Sequence, residues 1–339
     1  MSRLAVRIAA FAVLLPLCPV SHAYNLYGPY PWGEDTYHLK WGDIFTPGTS
    51  GGTITWSLIP DGTTFDPSSP DTYISGTSSL NALMNSLGHA QALAAIERCF
   101  ARYSAKANIY FEQVPDSGVP LASLGSTPPG VGHIRIGAYS ITGGGGAVGF
   151  APPPNGGRVD GDIVLNSNST FFFDNGAEGE LIDVFNDFES LLMHEIAHAV
   201  GVAHSDTQSV TSQDFNIFKF VNRELDPDDI AAVQFLYGPA LAADYNHDNQ
   251  VNEADLAVWR TGYGNTTATQ LDGDGNFDGA VDGADLLVWQ REQGLGGPAA
   301  TANMAPVPEP AALLLVALLG AIACVAANRR RAGAALEVF

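Results

Sequence analysis

The sequence predicts an α+β fold followed by a small all-α module. Three observations carry this. Between residues 53 and 240, segments of β-forming residues alternate with segments of helical periodicity. One helical segment carries His194-Glu195-Ile196-Ala197-His198 and then returns through Gly201 to His204. Beyond residue 240, residues 244–264 recur at 274–294, an offset of 30, and each copy is an acidic loop followed by a helical pattern.

Composition narrows the function. Of 339 residues only 15% are charged, while Gly (37) and Pro (21) are abundant, which describes a loop-rich, partly β chain. Hydrophobic residues reach 46%, enough for a core. Net charge is −21, and without the terminal segments the body holds 34 acidic residues against 10 basic ones. Nucleic acid requires a basic footprint and is excluded as a partner. The balance suits an exported soluble protein or one that holds divalent cations. Cys18 and Cys324 lie in apolar terminal segments, so Cys99 alone remains in the body. It can form neither an internal disulfide nor a Cys-based zinc finger.

Residues 24–52, rich in Gly, Pro, Tyr and Trp, are expected to form an extended arm. Thr53–Ile59 alternates β-formers and predicts a strand. Leu93, Ile96, Phe100 and Tyr103 recur at helical steps and predict a helix over 89–105. Ile109–Val114, His133–Ala138 and Asp162–Leu165 predict further strands, and Gly143–Gly157 a loop. The next helix is expected to start at Asn186-Asp187, with Glu189 completing a capping box, and to stop at Gly201. A last helix, Pro227–Leu236, has Asp226 as N-cap and acidic residues in its first turn.

His194 and His198 are four residues apart, so on a helix their rings share one face and can bind one metal ion. Gly201 turns the chain, and His204 returns as a third nitrogen ligand. Three protein ligands leave a fourth position for water, the open arrangement of a catalytic zinc. Glu195, beside the first ligand, is placed to take a proton from the attacking water. His38, His89 and His133 are isolated and read as core or surface residues, and Asp160 and Asp162 as an acidic turn.

The run HEIAHAVGVAHS resembles the zinc signature of the metzincin metallopeptidases, and Ser205 makes it similar to the matrixins among them. LDPDDIAAVQFLYG (225–238), FEQV (111–114) and GDIVLN (161–166) also look like matrixin segments. The resemblance spans about 53–240. It implies a mixed twisted sheet with an active-site helix, one catalytic Zn2+ held by His194, His198 and His204, Glu195 as base and later acid, and a peptide or protein substrate. Three departures stand out. Thr211, in SVTS (209–212), replaces the methionine of the metzincin turn. Val164 and Asn166 stand where vertebrate matrixins have structural-zinc ligands. No pro-segment or Cys-switch sequence precedes the domain, so any latency is expected to use another device.

The two copies of the repeat match at 10 of 21 positions. Oxygen-bearing side chains recur at loop positions 1, 3, 5, 9 and 12: Asp244, Asn246, Asp248, Asn252 and Asp255, then Asp274, Asn276, Asp278, Asp282 and Asp285. Main-chain carbonyls are expected from Gln250 and Ala280. Gly279 supplies the expected turn in the second loop, whereas Asn249 replaces it in the first. Loop followed by a single helix, duplicated over 241–296, resembles a type I dockerin. The resemblance implies up to two Ca2+ ions and a cohesin-like partner.

The two ends read as addresses. Residues 1–23 have a charged start (Arg3, Arg7), an apolar stretch and Ser21-His22-Ala23 at the cleavage-site positions of a signal peptide. After a linker, 297–307, residues 308–331 run Pro308-Glu309-Pro310, an uncharged apolar stretch Ala311–Ala327, and Arg329-Arg330-Arg331. The stretch is at the lower limit for a spanning helix, with its arginines on the cytoplasmic side. This order resembles the PEP-CTERM sorting signal. It implies transient membrane association, an exosortase-type processing enzyme, and a bacterial envelope or extracellular-matrix destination.

Two functions fit these residues. One is an exported zinc endopeptidase; a zincin amidase of cell-wall peptides shares its chemistry. The other is a catalytically weak or inactive zinc-binding matrix or adhesion protein whose calcium module does the binding. Thr211 favours the second, and the intact Glu195 favours the first.

Overall fold

The computed structural model describes residues 24–296, apart from 124–128, 144, 155–157, 182–186, 207–208 and 213–219. The expected signal peptide, linker and sorting tail lie outside these residues. Among the described residues no helix is long and apolar enough to cross a membrane.

The arm holds three short strands, β1 (Asn25–Leu26), β2 (Tyr30–Trp32) and β3 (Asp35–Tyr37). Its end is not a loose extension, because Leu39, Lys40 and Trp41 are buried. β4 (Gly52–Leu58) is followed by β5 (Ile74–Ser75), α1 (Leu80–Leu87), α2 (His89–Ser104), β6 (Ile109–Gln113), β7 (Ile134–Ile141), β8 (Ala147–Gly149), β9 (Ile163–Asn166), α3 (Phe188–Ala199), β10 (Val202–Ala203) and α4 (Pro227–Tyr237). The main sheet has the order β6-β4-β7-β9-β8, with β5 paired to β7. β6, β4, β7 and β9 run parallel, while β8 and β5 are antiparallel to their neighbours. β9 and almost all of β7 are buried, as expected of parallel strands with both faces covered. Sheet and helices together give a mixed α/β architecture, which fits the sheet with an active-site helix expected of residues 53–240.

The core joins Ile54 and Trp56 of β4, Ile96, Cys99 and Phe100 of α2, Ile134 and Ile136 of β7, and Leu192, Met193 and Ile196 of α3. Every residue of α3 is buried, so this helix has no solvent face. Cys99 is fully enclosed and its thiol pKa is raised by burial, which fits the inert core thiol expected.

Two further expectations need correcting, and one helix was not foreseen. β8 lies inside the Gly-rich segment read as loop. It can approach α3 because Gly149 has no side chain; a Cβ there would run into the backbone of Glu195. α1 lies just ahead of the expected 89–105 helix, from which Gly88 at φ +88° divides it. The N-cap of α3 is Asp187, whose carboxylate accepts from the Ser190 amide. Glu189 is no capping-box partner; its carboxylate is taken by Arg98 and Arg102 of α2. At α4 the structure gives the expected start: Asp226 caps it, Asp229 completes a capping box, and Pro227 opens the first turn.

Beyond residue 240, α5 (Glu253–Gly262) and α6 (Gly283–Glu292) each follow one copy of the repeat, with a 3₁₀ turn at Gln270–Asp272 between them. Leu241, Tyr245, Val251, Leu256, Val288 and Trp289 form a small core there. Residues up to Gly296 belong to one compact unit, so this segment packs with the preceding domain.

Candidate metal centre

α3 delivers His194 and His198 from adjacent turns of one face, both nearly fully buried. The helix ends at Val200, and Gly201 at φ +98° reverses the chain. A side chain at Gly201 would strike the carbonyl of Leu39, so glycine is needed for space as well as for φ. β10 then carries the chain to His204.

The three Nε2 atoms converge. His194 and His198 are 3.0 Å apart, and each is 3.2 Å from His204. A tetrahedral zinc with Zn–N bonds of about 2.0–2.1 Å would set its nitrogens about 3.3 Å apart. The donor set therefore fits zinc in number, chemistry and spacing. Among the described residues it is the one group of three or more His, Cys, Asp or Glu side chains gathered closely enough to hold a metal ion.

The imidazoles are held in the ligating tautomer. Nδ1 of His194 lies 2.7 Å from the carbonyl oxygen of Val210, and Nδ1 of His198 lies 2.8 Å from that of Val202. A carbonyl can only accept, so Nδ1 carries the proton and Nε2 keeps its lone pair. Burial lowers both ring pKa values, to about 3 for His194 and about 4 for His198, which keeps the rings neutral at ordinary pH. His204 is more exposed, and burial lowers its pKa too.

Glu195 follows the first ligand on α3 and is almost fully buried. Burial pushes its pKa up to about 8, against a lowering hydrogen bond from the Gly149 backbone. A cation at the imidazoles would oppose that rise.

Thr211, in the turn at Ser209–Ser212, has full polar satisfaction. Its hydroxyl donates to Asp229 Oδ1 at 3.2 Å and lies 3.1 Å from Ser209 Oγ. Asp229 Oδ2 also accepts the Val210 amide at 2.9 Å. The turn that supports His194 is therefore anchored on α4.

Residues 75–238 match the family model described as matrixin. Two relatives agree. Karilysin of Tannerella forsythia is 31% identical over 146 residues, covering 42% of this chain and 28% of that protein. A putative matrix metalloproteinase of Spodoptera frugiperda ascovirus 1a is 30% identical over 116 residues, covering 31% of this chain and 30% of that protein. The chain thus spans less than a third of the length of either relative. The matrixin match covers α1 to α4 with the three histidines, Glu195 and the Thr211 turn, and stops before the repeat.

The repeat loops are arranged alike. Asp244 and Asp274 each accept backbone N–H groups at positions 5 and 6 of their loops. Asn246 donates to Asp248 and Asn276 to Asp278, while Gln250 and Ala280 follow on the chain. Asn252 and Asp282 are the N-caps of α5 and α6. Asp255 accepts the amides of Tyr245, Asn246 and Asn252, and Asp285 those of Gly275, Asn276 and Asp282. The position-12 carboxylates thus serve as helix caps, and among the described residues no three loop carboxylates converge as the imidazoles do.

Sequence reasoning missed the residues that hold the metal centre from outside the motif: Asn25, Tyr27, Trp41, Gly149, Asp229 and Tyr237. For Tyr27 and Trp41 the sequence signal was the aromatic richness of the arm, and for Asn25 there was none.

Proposed function

We propose that the chain is an exported zinc-dependent endopeptidase. The observation that carries this reading is the convergence of three Nε2 atoms to within 3.0–3.2 Å beside the buried carboxyl of Glu195. Zinc held there would polarise the scissile carbonyl and lower the pKa of the attacking water. Glu195 would take the proton of that water and deliver it to the leaving amine. The Gly149 amide holds the Glu195 carboxyl in place, and the Val210 and Val202 carbonyls fix the ligand rings. The similarity to karilysin and to a putative matrix metalloproteinase supports a peptide or protein substrate. The hydrogen bonds of the Thr211 hydroxyl to Asp229 and Ser209 support a well-formed centre.

The repeat is read as a calcium module on the spacing of its oxygen ligands in two copies, with a cohesin-like partner as the binder its resemblance suggests. Its role would be to position the enzyme. The terminal segments would route the protein out of the cell and, through an exosortase-type processing enzyme, to the bacterial envelope or matrix.

Zinc content and cleavage of a peptide-library substrate, measured on the wild-type protein and on Glu195→Gln with calcium present, test the enzyme reading. One zinc in both proteins, with turnover about 10²–10⁴-fold lower in the variant, is expected for loss of a general base. Equal, negligible turnover with zinc bound in both would overturn it in favour of a binding protein.

A further inference from the structure

The family match begins at residue 75, yet the chain that leads to the third metal ligand is held largely by residues before it. The carbonyl of Ala199 accepts from Trp41 Nε1 at 2.9 Å. That of Val200 accepts from the Tyr237 hydroxyl at 2.8 Å, whose oxygen in turn accepts the Trp41 amide at 3.1 Å. The Gly201 carbonyl accepts the Tyr27 amide at 3.2 Å. β1 pairs antiparallel with β10, setting Leu26 against Val202 and Asn25 against Ala203. Finally, Asn25 Nδ2 donates to the carbonyl of His204 at 2.9 Å. Each residue from 199 to 204 is thus gripped by the arm or by a side chain the arm holds.

We infer that residues 24–27 and 39–41 of the arm are a positioning strap for the metal centre, in which Asn25 sets His204 and Tyr27 sets His198. The inference rests on the zinc reading of the three histidines. His194 and His198 stand on a helix and are pinned at Nδ1. His204 follows the two-residue strand β10 and is exposed, so its place is set by its own backbone. A free two-residue strand would not hold that backbone against conformational entropy; β1 and Asn25 do. Tyr27 acts on the second ligand. Its hydroxyl lies 3.4 Å from His198 Nδ1, and the two rings meet edge to face at 6.0 Å. The Nδ1 proton is given mainly to the Val202 carbonyl, so the Tyr27 oxygen is a second, weaker acceptor that limits ring rotation. The backbone of Tyr27 is fixed on both sides, by Gly201 through its amide and by Leu39 through its carbonyl.

The test uses the full chain and reads the metal rather than turnover. Zinc release to a chromophoric chelator, the visible spectrum of the cobalt-substituted protein, and the Tm of the metal-free protein are measured for wild type, Asn25→Ala, Asn25→Gln and Tyr27→Phe. Trp32→Ala, in the exposed β2–β3 hairpin of the same arm, serves as the control. Asn25→Ala is expected to weaken zinc binding about 10- to 100-fold, the usual effect of losing an outer partner of a ligand. It should also alter the cobalt spectrum while leaving the metal-free Tm near wild type. Asn25→Gln keeps a donor and should recover part of the loss; Tyr27→Phe should shift the spectrum with a smaller loss. Wild-type release and spectra in both Asn25→Ala and Tyr27→Phe would overturn the strap while leaving the zinc reading intact. So would losses that simply follow metal-free Tm, Trp32→Ala included. A wild-type protein that takes up no zinc would remove the metal reading and the strap together.

Discussion

At the scale of the residue, Thr211 shows how a departure from a motif is accommodated. A buried hydroxyl in place of a thioether would cost stability if unpaired, but Asp229 and Ser209 satisfy it. Thr211→Val keeps the shape and removes the donor, leaving one oxygen of the buried Asp229 short of a partner. The expected cost is about 1–3 kcal/mol, read as a lower denaturant midpoint at an unchanged m-value. Zinc content should remain, because the Val210 amide and carbonyl keep their partners. Unchanged stability would mean that Asp229 does not depend on this hydroxyl. Much of the centre was legible in the sequence because His194 and His198 sit at helical spacing and His204 follows a glycine turn within the same eleven residues. Asn25 and Tyr27 were not, because they reach the site across 171 residues or more of intervening chain. Nothing about an isolated Asn or Tyr in an arm announces a distant partner.

At the scale of the element, α3 depends on the ion pairs that tie down its N-terminus. Asp187 caps the helix and meets Arg223 at 2.6 Å, while Glu189 meets Arg98 at 2.7 Å and also Arg102. Burial alone would raise both carboxyl pKa values. The arginine hydrogen bonds outweigh it and hold them below the ordinary values of 3.8 for Asp and 4.5 for Glu. A carboxyl with a depressed folded-state pKa contributes stability above its unfolded pKa and loses it as pH falls through the folded one. Stability is therefore expected to fall as pH drops below about 4.5, the ordinary Glu value, and onward past 3.8. A Tm series from pH 6 downward checks this. Asp187→Asn with Glu189→Gln should be less stable at pH 6 and show a shallower acid slope; an equal slope would place the acid sensitivity elsewhere. The same pairs explain why the helix start was misread. Asn186-Asp187 with Glu189 reads locally as a capping box, but Arg98 and Arg102 from α2 claim Glu189. β8 escaped for a related reason: its three residues lie among glycines, and its pairing is set by β9 and by close approach to α3.

At the scale of the whole molecule, the two copies of the repeat are not equivalent. The first is seated on the metalloprotease-like domain. Tyr110 of β6 donates to Asp244 Oδ2 at 3.0 Å, and its ring stacks on His247 at 3.8 Å. Ser50 bonds to the side chain of Asn249. Asn249 stands where the loop pattern calls for glycine; at φ +66° it adopts the left-handed conformation that Asn tolerates, and its amide reaches the neighbouring domain. Among the described residues, the equivalent positions of the second loop, Phe277 and Gly279, make no such pair, and Phe277 is 55% exposed. If calcium fills the first loop, it orders the very side chains that β6 leans on, so its effect should cross into the domain. Calcium at about a hundred times its Kd would add about 2.7 kcal/mol to the state that binds it. Hydrogen exchange with calcium, and then with a chelator, reads where that energy goes. Protection of Ile109–Gln113 is expected to fall together with that of α5 when calcium is withdrawn, and Tyr110→Phe should weaken the coupling without abolishing the change in α5. Loss of protection confined to residues 244–292 would mean that the first loop touches the domain without sharing its stability, and that calcium serves the repeat alone.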